Sequence, residues 1–276
     1  MSLALLLLPL LALAAGEAEP GCPEESLSPC ACVDDYVEDY RDGEVRVDCT
    51  GASTSAEIAR ALKGANWPST RLWQFYMNGT PGVKHLPDGI LAHLSFQSIW
   101  LNDTRLKRVH PSVLLLSGSR LVNLTVQFAR LEEFPFRLLP EFPRLRSLWL
   151  ESNLLTSVPA LQSESLEILD LDHNRITRVE EDGWATPNLR DFDLRYNPLS
   201  KFPSTVIASL EKLERFYCSG CNLGPTLSGG LLEFRSKSLE LVSLWQNNVS
   251  RLEPGAIEGI VALFVLLLRS PSGSAL

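Results

Sequence analysis

The stretch Leu166–Thr177 reads LEILDLDHNRIT and decides the fold. Apolar residues stand at its first, fourth, sixth and eleventh places (Leu166, Leu169, Leu171, Ile176), and Asn174 stands at the ninth. The fourth and sixth places are two apart, so on a short strand both point to one side, while the third, fifth and seventh point to the other. The ninth place turns the chain away from the strand. An inward Asn there can bond backbone groups that would otherwise be buried without partners.

Working outward, the same template begins at Leu72, Phe96, Leu121, Leu145, Leu166, Leu189, Leu213 and Leu239, with successive starts 24, 25, 24, 21, 23, 24 and 26 residues apart. Eight copies specify a leucine-rich-repeat solenoid of the α/β class. One coil cannot bury its own apolar side, so neighbours stack and their strands form a long parallel sheet on the concave side. Asn153, Asn174, Asn197 and Asn247 hold the ninth place; Thr80, Thr104 and Ala129 stand there in the earlier coils, which should be less regular. Cys221 takes it in the seventh coil, as a small buried group with a weak thiol donor.

With 45% hydrophobic and 21% charged residues, the 276-residue chain can bury a large core. A formal charge of −8 without a basic run opposes duplex nucleic acid as a partner. Residues 1–16, MSLALLLLPLLALAAG, read as a secretory signal: the apolar run from Leu3 to Ala15 is too short for a membrane span. Export places the six cysteines where disulfides form, and makes the chain secreted and extracellular. A cysteine-rich cap is expected over 17–71, repeats over 72–259, and an atypical or truncated tail over 260–276.

The cap holds Cys22, Cys30, Cys32 and Cys49, and covers the apolar edge that the first coil leaves bare. Thr54 and Glu57 in TSAEIARALKG have capping-box spacing for a short helix that Gly64 suits as a stop. Glu44 to Cys49 alternate as an edge strand. In FYCSGCNL both sulfurs, Cys218 and Cys221, aim at the core, bridged or free; the helix a redox CxxC needs and further zinc ligands are missing.

The order of these cysteines, with Pro23 after the first, resembles the N-terminal cap of extracellular leucine-rich-repeat proteins. That resemblance implies the pairs Cys22–Cys32 and Cys30–Cys49. More narrowly, CPEESLSPCAC, the acidic insertion before VDCTG, and FYCSGCNL with RLEPGAIEG resemble the non-catalytic, leucine-rich-repeat subunits of Oplophorus-type luciferin monooxygenases. This implies a secreted companion of a separate catalytic subunit, without catalytic residues or cofactor. That family continues into further repeat and a cysteine-bearing cap, whereas this chain ends IVALFVLLLRSPSGSAL. Leu263, Leu266 and Leu268 suit a ninth strand, but Pro271 takes the Asn place; a truncated end is favoured over a genuine atypical cap.

Recognition is left to the outward residues. The fifth places read Tyr76, Trp100, Thr125, Trp149, Asp170, Asp193, Tyr217 and Ser243. Trp and Tyr are enriched at binding hot spots, so Tyr76, Trp100, Trp149, Asp170, Asp193 and Tyr217 are the candidate partner-binding residues. Asp170 and Asp193 on adjacent strands repel, which suits a cationic partner; the plainer reading is solvated acids, with Asp172–Arg195 and Asp191–Arg215 as ordinary cross-strand ion pairs. Asn78, Asn102, Asn123 and Asn248 head N-x-S/T sequons. His173, at an eighth place, reads as a solvent-facing turn residue. No nucleophile elbow, phosphate loop or HExxH is present, so a non-catalytic protein-binding role leads, and a recognition protein of the receptor-ectodomain type, in immunity, adhesion or matrix binding, is the alternative.

Overall fold

The computed structural model describes residues 21–34, 45–199 and 202–260, and the backbone of 265–267. The segment expected to be a secretory signal, the acidic insertion and most of the tail lie outside the described residues. An eleven-stranded sheet runs through the described chain. From the strand Arg46–Asp48 onward every neighbouring pair is parallel, through Arg71–Asn78, Ser95–Asn102, Asn123–Gln127, Ser147–Trp149, Ile168–Asp170, Asp191–Asp193, Arg215–Tyr217 and Leu241–Ser243 to Val265–Leu267. The last of these places Leu266 opposite Val242, the register a ninth coil requires.

The template places the core. Every fourth- and sixth-place residue is at most 1% exposed, so each coil buries two or three large apolar groups between its neighbours. At about 2 kcal/mol for each such side chain, this column is the main source of stability. Phe192, Phe202, Phe216 and Phe234 add an aromatic spine, with ring centroids 5.5 to 6.3 Å apart. Opposite the sheet lie two-residue strands, the helices Pro111–Leu115 and Ser204–Ser209, and the 3-10 turn Phe136–Glu141. Strands need only about 4.8 Å each and these bulkier elements more, so the stack bends with the sheet inside.

The ninth-place asparagines hold coil to coil. Asn197, fully buried, donates Nδ2 to the carbonyls of Leu171 (2.9 Å) and Leu194 (3.0 Å) and accepts the N–H of Ile176 on Oδ1 (2.9 Å). Asn153, Asn174 and Asn247 repeat this pattern. Thr80 Oγ1 is buried without a partner, and Thr104 Oγ1 accepts only the Leu106 N–H at 3.3 Å. Cys221 is bonded to Cys218, the bridged one of the two states left open for this pair. Its Sγ lies 3.2 Å from the Leu194 carbonyl, where an Asn would donate, but a bridged sulfur has no proton to give.

In the cap, Cys22 is joined to Cys32 and Cys30 to Cys49. Arg46–Asp48 is not an edge strand: Ala31–Val33 pairs antiparallel to its outer side and forms the edge instead. Cys30 and Cys49, which flank the two strands, are bridged, and that bridge helps hold so short a strand in place. The helix Ser55–Gly64 starts on the expected box, with Glu57 N–H bonded to Thr54 Oγ1 and Glu57 Oε2 accepting the Thr54 N–H. Gly64 is its last helical residue and not a left-handed stop; the chain leaves through an extended Ala65, at φ −100°.

Candidate protein-binding face

Strand register brings the fifth-place residues into one line on the inner face. Tyr76 stands opposite Trp100, then Thr125, Trp149, Asp170, Asp193, Tyr217 and Ser243 follow in order. Tyr76 packs against Trp100 with centroids 5.9 Å apart, and the Arg46 guanidinium lies 3.8 Å over the Tyr76 ring. Trp100 is 42% exposed, while Tyr76, Trp149 and Tyr217 are half-buried. Asp170 and Asp193 are each only 7% exposed, which corrects the expectation of free, solvated acids. Their short side chains sit between taller neighbours, Trp149 and Glu151 on one side and Arg195 and Tyr217 on the other, on an inward-bending sheet.

Burial dominates the electrostatics. Asp193 is already paired: Arg195 Nε lies 3.0 and 2.8 Å from its two oxygens, and the Arg195 N–H bonds Oδ1 at 2.9 Å. Burial still raises its pKa against those contacts, and the Asp193 hydrogen bond raises that of Arg195. Arg195 also reaches Asp172 Oδ2 at 3.6 Å, and Arg215 holds Asp191, so both cross-strand pairs of the plainer reading are present. Asp170 forms no salt bridge among the described residues, although Arg195, engaged by Asp193, is near enough to attract it. Its Oδ1 accepts the Asp172 N–H at 2.9 Å, which favours the charged form, but burial first and then repulsion from Asp193, Glu151 and Asp172 push the carboxyl up to about 7. Glu151 is raised as well, by burial and by Asp172. The middle of the face is therefore a desolvated carboxyl group beside an indole, with its nearest neighbours acidic.

A second row was not read from the sequence. The eighth place of every coil is left-handed: Gly79, Asp103, Phe128, Ser152, His173, Tyr196, Gly220 and Gln246 have φ between +47° and +67°. Gly79, Gly220 and Asp103 were the only hints, because bulky side chains disfavour this conformation. His173 is exposed, with Nδ1 2.8 Å from Asp172 Oδ1 and its ring centroid 4.4 Å from that of Tyr196. Tyr196 donates its hydroxyl to Gln246 Oε1 at 3.0 Å and lies over Gly220, where a Cβ would meet its ring at 2.7 Å.

Of the sequons, Asn102 and Asn78 are half-buried and joined, Nδ2 of Asn102 donating to Oδ1 of Asn78 at 3.0 Å, whereas Asn123 and Asn248 are exposed. Among the described residues no group of three His, Cys, Asp or Glu is placed to hold a metal, and no helix is long and apolar enough to cross a membrane.

Comparison with known proteins agrees with the fold. A leucine-rich-repeat profile matches residues 164–223. The chain is 24% identical over 244 residues, 87% of its length, to an Oplophorus-luciferin 2-monooxygenase non-catalytic subunit from Oplophorus gracilirostris. It is also 32% identical over 51% of its length to receptor-like protein 7 of Arabidopsis thaliana, and 28% identical over 50% to leucine-rich repeats and immunoglobulin-like domains protein 1 of Homo sapiens. It spans 66%, 15% and 13% of the lengths of these three relatives.

Proposed function

We propose that this chain is a secreted, non-catalytic subunit that holds a protein partner, of the luciferin-monooxygenase catalytic type, on the inner face of its sheet. The observation that carries this reading is the line from Tyr76 to Tyr217, where large aromatics flank a desolvated, unpaired carboxyl group, Asp170, on a surface with no folding need for either. The likeness over 87% of the chain to a subunit named non-catalytic supports the companion role. Aromatic side chains in such a line supply contact area at low entropic cost, and Asp170 supplies a charge that gains most from a partner's Lys or Arg. Asn123 and Asn248 are the acceptors best placed to carry glycan, since both are exposed; Asn123 holds a third place on the inner face, so a glycan there would shift partner contact toward Trp149, Asp170, Asp193 and Tyr217. An open sheet provides no water-excluding pocket for acid–base work, which favours binding over catalysis.

The receptor-ectodomain reading is the alternative, favoured by the two shorter matches to receptor-type proteins. Native co-purification with mass spectrometry of the bound chain separates the two. Recovery of an oxygenase supports the companion role; recovery of matrix protein or microbial surface material supports the alternative. Light emission by the isolated chain given a luciferin would contradict the non-catalytic role.

A further inference from the structure

We infer that the rim formed by the eighth and tenth places is a second binding site, separate from the inner face, and that its ligand is a sulfated or otherwise polyanionic polysaccharide. Three observations converge there. First, Arg105, Arg130 and Arg175 occupy tenth places, are exposed, and form no ion pair among the described residues. Arg60, Arg137 and Arg144 are likewise exposed without an ion pair among the described residues, but they share no row, whereas Arg108, Arg178, Arg235 and Arg251 hold carboxylates at 3.3, 3.7, 2.9 and 3.9 Å. Second, backbone bonds align the tenth places in one row: the Arg130 N–H bonds the Leu106 carbonyl, the Leu154 N–H the Leu131 carbonyl and the Arg175 N–H the Leu155 carbonyl, each at 2.9 Å, so Arg105 and Arg130 are neighbours and Leu154 stands between Arg130 and Arg175. The three guanidinium groups therefore lie along one rim, interrupted by Leu154 and with Asp103 as its exposed acid, on a chain of net charge −8. Third, two residues before each of Arg130 and Arg175 stands an exposed ring, Phe128 (51% exposed) and His173, and the His173 ring is stacked on Tyr196.

Those rings are held outward by left-handed backbone, at φ +47° for Phe128, +49° for His173 and +50° for Tyr196. A bulky residue in that region is strained, and Phe128 has no ring contact within the described chain to offset it. The pair His173–Tyr196 is preorganised, fixed below by Gly220 and at its tip by Gln246.

Guanidinium groups bind sulfate and carboxylate through paired N–H donors, and aromatic faces pack on the apolar faces of sugar rings. Phe128 and His173 belong to coils two apart, about 10 Å at the spacing of neighbouring strands, so a ligand must carry its charges and faces sparsely. A sugar polymer does. Single-stranded nucleic acid, which stacks base after base along a continuous basic groove, fits this rim less well.

Titration of the full chain at 0.15 M salt with a heparin-type sulfated octasaccharide tests the assignment, with an uncharged dextran and a single-stranded RNA dodecamer as comparators. The octasaccharide should bind with Kd in the micromolar range, and Arg105→Gln/Arg130→Gln/Arg175→Gln should weaken it by about tenfold or more. That variant should lower the slope of log K against log salt by about 2, near 0.7 for each of three lost contacts to a flexible polyanion. Phe128→Asn/Tyr196→Asn, which keeps residues tolerant of left-handed backbone, should weaken binding severalfold. The control Arg178→Gln/Arg235→Gln/Arg251→Gln removes equal charge from paired sites and should leave binding unchanged. Absence of octasaccharide binding, equal loss in the control, or tighter binding of the RNA would each overturn the assignment. Loss of the protein partner on the inner face would leave this result untouched, so the two readings fail separately.

Discussion

Replacing Asn197 by alanine removes three buried hydrogen bonds and leaves the carbonyl of Leu194 and the N–H of Ile176 without partners, while the Leu171 carbonyl keeps Asn174 Nδ2 at 3.0 Å. At about 1 kcal/mol or more for each of the two orphaned groups, the loss should be roughly 2 to 3 kcal/mol, read as a lower urea midpoint at unchanged slope. Asp170 offers the opposite test. Its folded value near 7 lies above the unfolded value near 4, so the folded chain holds the extra proton between these limits. Stability contributed by Asp170 therefore falls as pH rises from about 4 to about 7 and is level above. The three-unit gap sets an upper bound of about 4 kcal/mol. Asp170→Asn keeps the acceptor for the Asp172 N–H, so melting curves should show it more stable than the parent at pH 8, by about 2 kcal/mol, with a flatter profile between pH 4 and 7. At this scale the asparagines were legible from their spacing. The burial of Asp170 and Asp193 was not, because the period gives the side of the sheet but not the height of the neighbours. Left-handed backbone at Phe128, His173 and Tyr196 was equally hidden, since those residue types argue against it.

Among the elements, the cap is where local sequence is strongest and packing weakest. The helix Ser55–Gly64 announces itself by its capping box, and Thr54→Ala should cost about 1 kcal/mol. The edge strand Ala31–Val33 could not be read from three residues; Cys30–Cys49 fastens it to the end of Arg46–Asp48, and Cys22–Cys32 ties it to the segment before it. Cys30→Ala/Cys49→Ala should cost about 2 to 5 kcal/mol and expose Val45, Val47 and Phe75 to a dye that fluoresces on apolar surface. Further along, Phe192→Ala opens a cavity where three rings meet and should cost about 3 to 5 kcal/mol in chemical denaturation. A variant that lost less than 1 kcal/mol there would show that the spine is not a packing unit.

Across the whole molecule, eight imperfect coils produce one sheet because each coil's apolar side has no cover except its neighbour. The same stacking sets every fifth-place side chain on the inner face in a fixed order, whatever those residues are, so the proposed partner surface is a by-product of the repeat and its chemistry is free to vary. This explains why the fold could be read from LEILDLDHNRIT alone and the ligand could not: the inward places obey one rule, and the outward places obey none that a single sequence reveals. Trp100→Ala/Trp149→Ala should abolish partner capture without moving the melting temperature by more than a few degrees, since neither ring is buried in the core. The most direct measurement places a photoreactive phenylalanine at position 149 on the inner face and, in a second preparation, at the exposed position 115 on the outer helix, and cross-links each to the co-purified partner. Partner binding through the sheet predicts a cross-link from 149 and none from 115. A cross-link from 115 alone would contradict it.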